Sequence, residues 1–184
     1  QGLALYRLGN LAEAEQAFER AREVQPNLSP AHYHLGLVAL SKGDLAAAQE
    51  HFERALELRP NDPLAAGNLA FVKLHRGDAR GCVDLLEPLV AQETVSLTDR
   101  RNYGSALLLL QEFPAAVEQF RLIVAAEPES AIDRAKLAWA LNGMGRREEA
   151  VREWETARAA SPNDPTVRAV ERLIKWGIAG PTDR

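Results

Sequence analysis

Apolar residues recur at helical spacing in two consecutive blocks between Ser29 and Asp62. The first block ends before Gly43, and the second begins after Asp44. Spacings of three and four residues place each block on one face of an α-helix. Glycine supplies the left-handed backbone that ends a helix, and aspartate or serine caps the start of one. The pattern therefore predicts a helical hairpin, with Ser29 capping its first helix and Asp44 capping its second.

This hairpin recurs along the chain at a fixed step of 34 residues. The first helices share a column of small residues: Gly2, Gly36, Ala70, Gly104 and Ala138. The second helices share another small column: Ala14, Ala48, Cys82, Ala116 and Ala150. A third column is large: Phe18, Phe52, Leu86, Phe120 and Trp154. Helices that cross closely need small side chains beside bulky ones, so the columns predict where the two helices of each hairpin meet.

The repeated motif of the second unit consists of Leu35-Gly36, Ala48, Phe52, Ala55 and Pro60. It resembles the pattern of the tetratricopeptide repeat family, whose units are also 34 residues long. The resemblance covers residues 1–164 and implies an all-α fold, a right-handed α-solenoid of stacked antiparallel helix hairpins. Thr94 departs from the pattern by replacing the closing proline of the third unit, and Gln111 by replacing the hairpin glycine of the fourth.

We interpret residues 1–184 as a single domain of such repeats. Its parts are a partial repeat at 1–28, repeats at 29–62, 63–96, 97–130 and 131–164, a capping helix at 165–176 and a tail at 177–184. The capping helix is predicted from an apolar stripe that runs from Val167 to Ile174, with charged residues on its other side. The chain begins partway into a first helix without a methionine, so we expect it to be a fragment of a longer protein.

The start and end signals of the helices predict several caps. Asn10 and Glu13 have the spacing of a capping box, and Asp62-Pro63 has the order of a cap followed by a first helical residue. Two serines, Ser96 and Ser130, stand three residues before an aspartate at the start of their helices. In the fourth unit Gln111 is expected to adopt the left-handed backbone of the missing glycine, at some conformational cost.

The composition is that of an ordinary soluble protein, with 46% hydrophobic and 26% charged residues and a net charge of -4. Nucleic-acid binding needs a basic face, so this weak acidity argues against a nucleic-acid partner. The sequence contains no apolar run of membrane length, and we expect no direct membrane insertion. The single cysteine, Cys82, excludes an internal disulfide and is expected to be a buried packing residue. The compartment stays open, with the cytoplasm favoured over the periplasm.

In the resembling family, the first helix of each repeat lines an inner groove. Carried onto this chain, the resemblance implies these peptide- or partner-binding residues: Tyr33, His34, Leu37, Asn68, Phe71, Arg101, Asn102, Ser105, Lys136 and Trp139. Acidic residues are concentrated on the second helices instead. We therefore expect an aromatic, neutral-to-basic groove that suits a peptide or a partner helix with apolar anchors and some negative charge.

Some of these residues have a second interpretation. Asn68 and Asn102 occupy the same place in consecutive repeats, where their amides can bond a peptide backbone or bond within the repeats. Tyr33 and Trp139 can contact a partner or pack between neighbouring helices. Co-chaperone members of the family hold a C-terminal carboxylate with lysine, asparagine and arginine on three first helices. This chain lacks that combination, so we expect no binding of chaperone tails of that kind.

The sequence gives no sign of catalytic or metal chemistry. His32 and His34 are two residues apart on a helix and point to different faces, which is poor geometry for a shared metal. The glycines belong to hairpin turns and not to a phosphate-binding loop. We expect no catalytic residues, no cofactor and no metal site.

The hypothesis that follows is a non-catalytic scaffold that binds a protein or peptide in its groove. Two alternatives remain open. The chain is the recognition region of a larger enzyme, such as a glycosyl- or sulfotransferase, or it is a solenoid that assembles with itself as a homo-oligomer.

Overall fold

The computed structural model describes residues 1–92 and 95–176. The regular secondary structure in those ranges is entirely α-helical. The interpretation of Thr94 and the predicted tail at 177–184 lie outside the described residues. The chain divides into two compact units, Gln1–Gln92 and Glu93–Arg184. The predicted all-α fold is confirmed in both units.

Unit 1 contains helices α1 (Gly2–Arg7), α2 (Leu11–Val24), α3 (Ser29–Ser41), α4 (Leu45–Leu58), α5 (Pro63–His75) and α6 (Ala79–Ala91). Each helix packs against the next one along the chain. Short turns join α3 to α4 and α5 to α6, so these helices form the hairpins predicted from the repeat. The first helix of each hairpin therefore contacts the second helix of the hairpin before it.

Unit 2 contains helices α7 (Leu97–Leu109), α8 (Phe113–Ala126), α9 (Ala131–Gly143), α10 (Arg147–Ala160) and α11 (Pro165–Trp176). The last helix packs against both α9 and α10. Its apolar stripe is buried there, with Val167 and Val170 each 1% exposed. The Trp154 indole of α10 donates to the backbone carbonyl of Val167 at 3.2 Å. An amphipathic helix thus covers the open side of the last hairpin of unit 2.

The three columns of the repeat form the core of each unit. All five residues of the small column in the second helices are fully buried, and in the large column Phe52, Leu86 and Phe120 are fully buried as well. Cys82 belongs to the small column and is buried, as predicted from its position. Packing thus explains the recurrence, because the same helix crossing is rebuilt in every hairpin.

The crossing of α3 and α4 shows how close this contact is. An added Cβ on Gly36 would lie 2.6 Å from Cε1 of Phe52 and within 2.9 Å of two further ring carbons. Within unit 1 the small residue is smaller where the large residue of the hairpin is bigger. Gly36 is paired with Phe52, whereas Ala70 in the same column is paired with Leu86. A side chain at Gly36 therefore has no room unless the Phe52 ring moves.

The hairpin turns use left-handed backbone at one residue each. Gly43 has φ 78° and Gly145 has φ 75°. Gln111 takes the same role in the α7–α8 turn with φ 60°, although it has a side chain. The prediction that Gln111 replaces the hairpin glycine is confirmed.

Several helix starts have the predicted caps. Asp44 accepts from the backbone N–H of Ala47 at 3.0 Å, and Asp62 accepts from that of Leu64 at 3.0 Å. Ser96 caps α7 as predicted. Ser130 caps α9 in the same way.

Two predicted caps are wrong. Ser29 lies inside α3, and its buried hydroxyl donates instead to the backbone carbonyl of Ala55 on α4 at 3.1 Å. Asn10 precedes α2 but makes no side-chain cap bond.

The crossing of α3 and α4 leads to a stability prediction. Gly36→Ala is expected to lower the free energy of unfolding, because overpacking costs about 1–3 kcal/mol. Helix propensity returns only about 0.5–1 kcal/mol. Urea denaturation followed by circular dichroism measures the change. Combining Gly36→Ala with Phe52→Leu recreates the Ala70–Leu86 pairing and is expected to cost less than the sum of the single changes. A single variant as stable as the wild type would show that the ring does not limit this crossing.

The turn at Gln111 leads to a prediction of opposite sign. Gln111→Gly is expected to raise the stability of unit 2 by about 0.5–1 kcal/mol, since it removes the left-handed penalty of a residue with a Cβ. Gly145→Ala, the matched reverse change in the same unit, is expected to lower it by about 1 kcal/mol. Thermal melting of both variants beside the wild type measures the two shifts. A lower melting temperature for Gln111→Gly is the contrary result.

Candidate functional site

The residues predicted to bind a partner lie on two surfaces, one in each unit. The α3–α5 face of unit 1 contains Tyr33, His34, Leu37, Asn68 and Phe71. The α7–α9 face of unit 2 contains Arg101, Asn102, Ser105, Lys136 and Trp139. All of these residues are on first helices of hairpins, as the repeat register requires.

On the α3–α5 face, the Asn68 amide bonds within the unit. Its Nδ2 donates to the backbone carbonyl of Leu64 at 2.8 Å and to the hydroxyl of Tyr33 at 3.4 Å. The Tyr33 ring lies 5.9 Å from that of Phe52. Burial raises the pKa of Tyr33, and the charge of Asp62 adds to this effect. The contacts fix Tyr33 between α3 and α5 and leave Asn68 Oδ1 without a hydrogen-bond partner among the described residues.

Two further residues of this face contribute apolar surface. Leu37 is half-buried and packs against the core cluster that includes Phe52 and Leu69. Phe71 is also half-buried, and its ring lies 4.0 Å from that of His75, one turn further along α5. The imidazole of His75 also donates to the Phe71 carbonyl at 2.9 Å. Leu37 therefore packs against the core of unit 1, whereas Phe71 also contacts an exposed side chain, that of His75.

His34 lies between α3 and the preceding helix pair. Its ring stacks on Phe18 of α2 at 4.8 Å and meets the edge of the Tyr33 ring at 5.2 Å. The ring also lines a cavity of about 350 Å³ within unit 1, together with Gly2 and Pro30. Its Nδ1 is buried and has no hydrogen-bond partner in the described part of the chain. Burial lowers the pKa of His34.

On the α7–α9 face, Arg101 is engaged by carboxylates of its own unit. Its Nε donates to Asp133 Oδ2 at 2.9 Å, and its guanidinium also pairs with Glu127. Asp133 is only 2% exposed, and Ser130 donates to the same carboxylate oxygen at 2.7 Å. The hydrogen bond to Asp133 raises the pKa of Arg101. From the sequence, Arg101 is expected to attract the carboxylate of a partner, but the structure shows its charge already balanced within unit 2.

Lys136 is held by a hydroxyl and not by a carboxylate. Its Nζ donates to Ser105 Oγ at 2.9 Å, while Ser105 donates to the backbone carbonyl of Arg101 at 2.7 Å. The ammonium also lies 5.9 Å from the centre of the Phe120 ring. Burial lowers the pKa of Lys136, and the charge of Asp133 acts against this shift. Sequence patterns identify Ser105 and Lys136 as face residues but do not reveal that they bond to each other across α7 and α9.

Asn102 and Trp139 complete the α7–α9 face. Both side chains are half-buried. Trp139 lies three residues after Lys136 on α9, so the two side chains share one side of the helix. The face therefore places a half-buried indole beside a half-buried ammonium.

Other features of the described residues bear on function class. Within residues 1–92 and 95–176, no group of three or more histidine, cysteine, aspartate or glutamate side chains is placed to hold a metal ion. None of the helices in these ranges combines the length and the apolar character needed to cross a membrane.

A second histidine of unit 1 shares the behaviour of His34. Burial lowers the pKa of His51, and so does His32, whose ring lies 5.8 Å away. Glu50 and Glu19 act in the opposite direction. Neutral imidazole is thus the form that the fold favours at both His34 and His51.

Comparison with known proteins identifies the repeat. Family models described as tetratricopeptide repeat match residues 1–63, 39–96 and 134–156. No curated protein sequence matches the chain.

Solved structures show the same fold. YrrB, described as a TPR protein with an unusual peptide-binding site, has a TM-score of 0.85 and 19% identity, with 94% of this chain and 89% of YrrB covered. MamA AMB-1 has a TM-score of 0.79 and 21% identity, with 89% of each chain covered. MamA MSR-1 has a TM-score of 0.77 and 22% identity, with 88% of this chain and 92% of MamA covered.

The two neutral histidines predict how stability depends on pH. With lowered pKa values, the folded chain binds fewer protons than the unfolded chain as pH falls through about 6.5, so the free energy of unfolding decreases. Urea denaturation at several pH values between 7.5 and 5.0 measures this slope. His51→Gln is expected to make the slope shallower. The double variant His34→Gln, His51→Gln is expected to make it shallower still; slopes equal to that of the wild type in both variants would contradict the assignment.

Proposed function

The chain belongs to the tetratricopeptide repeat family, and we propose that it is a protein-interaction scaffold. In this proposal a peptide segment or partner helix binds to first-helix surfaces, namely the α3–α5 face and the α7–α9 face. The proposal concerns a binding role and assigns no catalytic residue to the chain.

The distribution of carboxylates is the observation that carries the proposal. Helices α3 and α5 contain no acidic residue, and α7 and α9 contain only Asp99 and Asp133. Asp133 is buried against Arg101, and Asp99 accepts from the hydroxyl of Ser96 at 2.6 Å at the start of α7. Every second helix, by contrast, contains at least one acidic residue, most of them exposed. A partner with negative charge meets less repulsion on the two faces than on the second helices.

The α3–α5 face offers the contacts that an extended peptide needs. Asn68 Oδ1 is available to accept a peptide N–H, while its Nδ2 is held by Leu64 and Tyr33. Phe71 supplies aromatic surface beside it, and the Leu64 side chain is 63% exposed. Hydrogen bonds to the peptide backbone contribute affinity, and apolar anchors contribute buried contact area.

The fold of YrrB supports the same class of function, since that protein is described as having a peptide-binding site. The structural match to YrrB supports a peptide-binding role for this chain within the proposal. The residues proposed here come from this chain alone and not from YrrB.

Peptide selection followed by calorimetry tests the proposal. Peptides are selected from a random display library against the full chain, and a synthetic peptide is then titrated into the wild type and variants. Phe71→Ala or Trp139→Ala, according to the face used, is expected to weaken binding about tenfold or more through loss of a buried aromatic anchor.

The chain offers matched controls on its second helices. Val24 of α2 is 81% exposed and Leu122 of α8 is 54% exposed. Val24→Ala and Leu122→Ala are expected to leave the dissociation constant unchanged. Failure to select any peptide, or weaker binding in the controls alone, would reject the proposed faces.

A further inference from the structure

One ammonium group of unit 2 lacks a counter-ion within the described residues. The chain has four lysines. Three form ion pairs: Lys42 with Glu15, Lys73 with Asp78, and Lys175 with Glu171. Lys136 bonds to the hydroxyl of Ser105 at 2.9 Å, and no carboxylate oxygen of residues 1–92 or 95–176 lies within 4.0 Å of its Nζ. Lys136 is therefore the exception among the lysines.

The groups around Lys136 are already engaged with one another. Asp133, one turn earlier on α9, accepts from Arg101 and Ser130 through Oδ2. The hydroxyl of Ser105 donates its hydrogen bond to the carbonyl of Arg101, so its oxygen accepts the hydrogen bond from Lys136. An ammonium group has three N–H donors, and this arrangement uses one of them.

Burial makes the missing counter-ion costly. Lys136 is half-buried, with the Phe120 ring 5.9 Å from its Nζ. A charge removed from water needs hydrogen bonds and an opposite charge to offset its lost hydration. The pKa of Lys136 is lowered by burial and further by Arg101, with Asp133 acting in the opposite direction. A carboxylate placed against Nζ would supply both the missing charge and an acceptor for the remaining donors.

We propose that Lys136 receives one carboxylate of the bound peptide, so that the partner of the α7–α9 face presents a single carboxylate next to an apolar residue. Trp139, on the same side of α9, contacts the apolar residue. Arg101 does not bind the carboxylate, because Asp133 and Glu127 already balance its charge. This inference rests on the proposed function and adds the chemistry of the partner. The carboxylate comes either from an acidic side chain or from a chain terminus.

A nuclear magnetic resonance titration of the full chain tests the inference. The protein is labelled with ¹³C-lysine, and its four ε-methylene signals are assigned by lysine-to-methionine changes. Three probes are added separately: N-acetyl-leucine with a terminal carboxylate, N-acetyl-glutamic acid α-amide with a side-chain carboxylate, and N-acetyl-leucinamide with none.

At least one carboxylate probe is expected to shift the Lys136 signal saturably, whereas the neutral amide leaves it unchanged. The probe that binds more tightly identifies the source of the carboxylate. Lys136→Met is expected to weaken probe binding about tenfold or more. Lys73→Met, which removes an ammonium already paired with Asp78, is the matched control and is expected to keep the wild-type dissociation constant.

Two results would overturn the inference: a Lys136 signal that no carboxylate probe moves, or one that the neutral amide moves equally. Both are read from the wild-type protein and do not depend on the folding of a variant. The proposed function and the carboxylate inference are rejected by different results. Selected peptides whose binding is weakened by Trp139→Ala, and which therefore use the α7–α9 face, would reject the carboxylate assignment and keep the scaffold if they bind without moving the Lys136 signal. If a carboxylate probe moves the Lys136 signal but no peptide can be selected against the chain, the carboxylate assignment is kept and the scaffold is rejected.

Discussion

The structure depends on the close approach of two helices within each hairpin. In α3 and α4 the Phe52 ring occupies the space where a side chain at Gly36 would begin. Helices of 13 and 14 residues, such as these two, are marginal in water by themselves. They persist because a small residue on one helix lets the other bring a large residue into full burial, and because the next hairpin covers what remains exposed.

This packing decides which side chains are left for a partner. The second helix of a hairpin contributes its large residue to the core, and the second helices contain most of the acidic residues found in helices. The first helix contributes its small residue to the crossing, so other positions on it are free to form a face. On α9 the same arrangement leaves Lys136 and Trp139 side by side, while Asp133 is turned into the unit to meet Arg101. The residues of α9 proposed to bind a partner thus lie on a different side of the helix from its small-column residue, Ala138.

Features repeated at every step were predictable from the sequence, because a fixed period constrains five positions at once. The buried columns, the hairpin at Gly43 and the left-handed backbone at Gln111 are of this kind. Helix caps predicted from a single residue were less reliable. Ser29 has the right residue type for a cap, but α3 starts at Ser29 itself and α4 offers its hydroxyl a carbonyl.

The electrostatics of the α7–α9 face were the least predictable part. Arginine and lysine side chains have many rotamers, and their partners depend on which carboxylate folding brings within reach. Arg101 is paired with Asp133, 32 residues away, and with Glu127 from the connection between α8 and α9. Arg101 and Lys136 are both basic residues of first helices, but Lys136 bonds to the hydroxyl of Ser105 and not to a carboxylate among the described residues. Only the positions of these side chains show which cation is paired with a carboxylate and which is not.

Hydrogen–deuterium exchange of the full chain, with and without a saturating peptide selected against it, tests the central claim most directly. If the hairpin crossing leaves the first helices to bind the partner, added protection falls on α3 and α5, or on α7 and α9. Exchange in the second helices stays as in the free protein. Protection confined to α4, α8 or α10 would contradict the account.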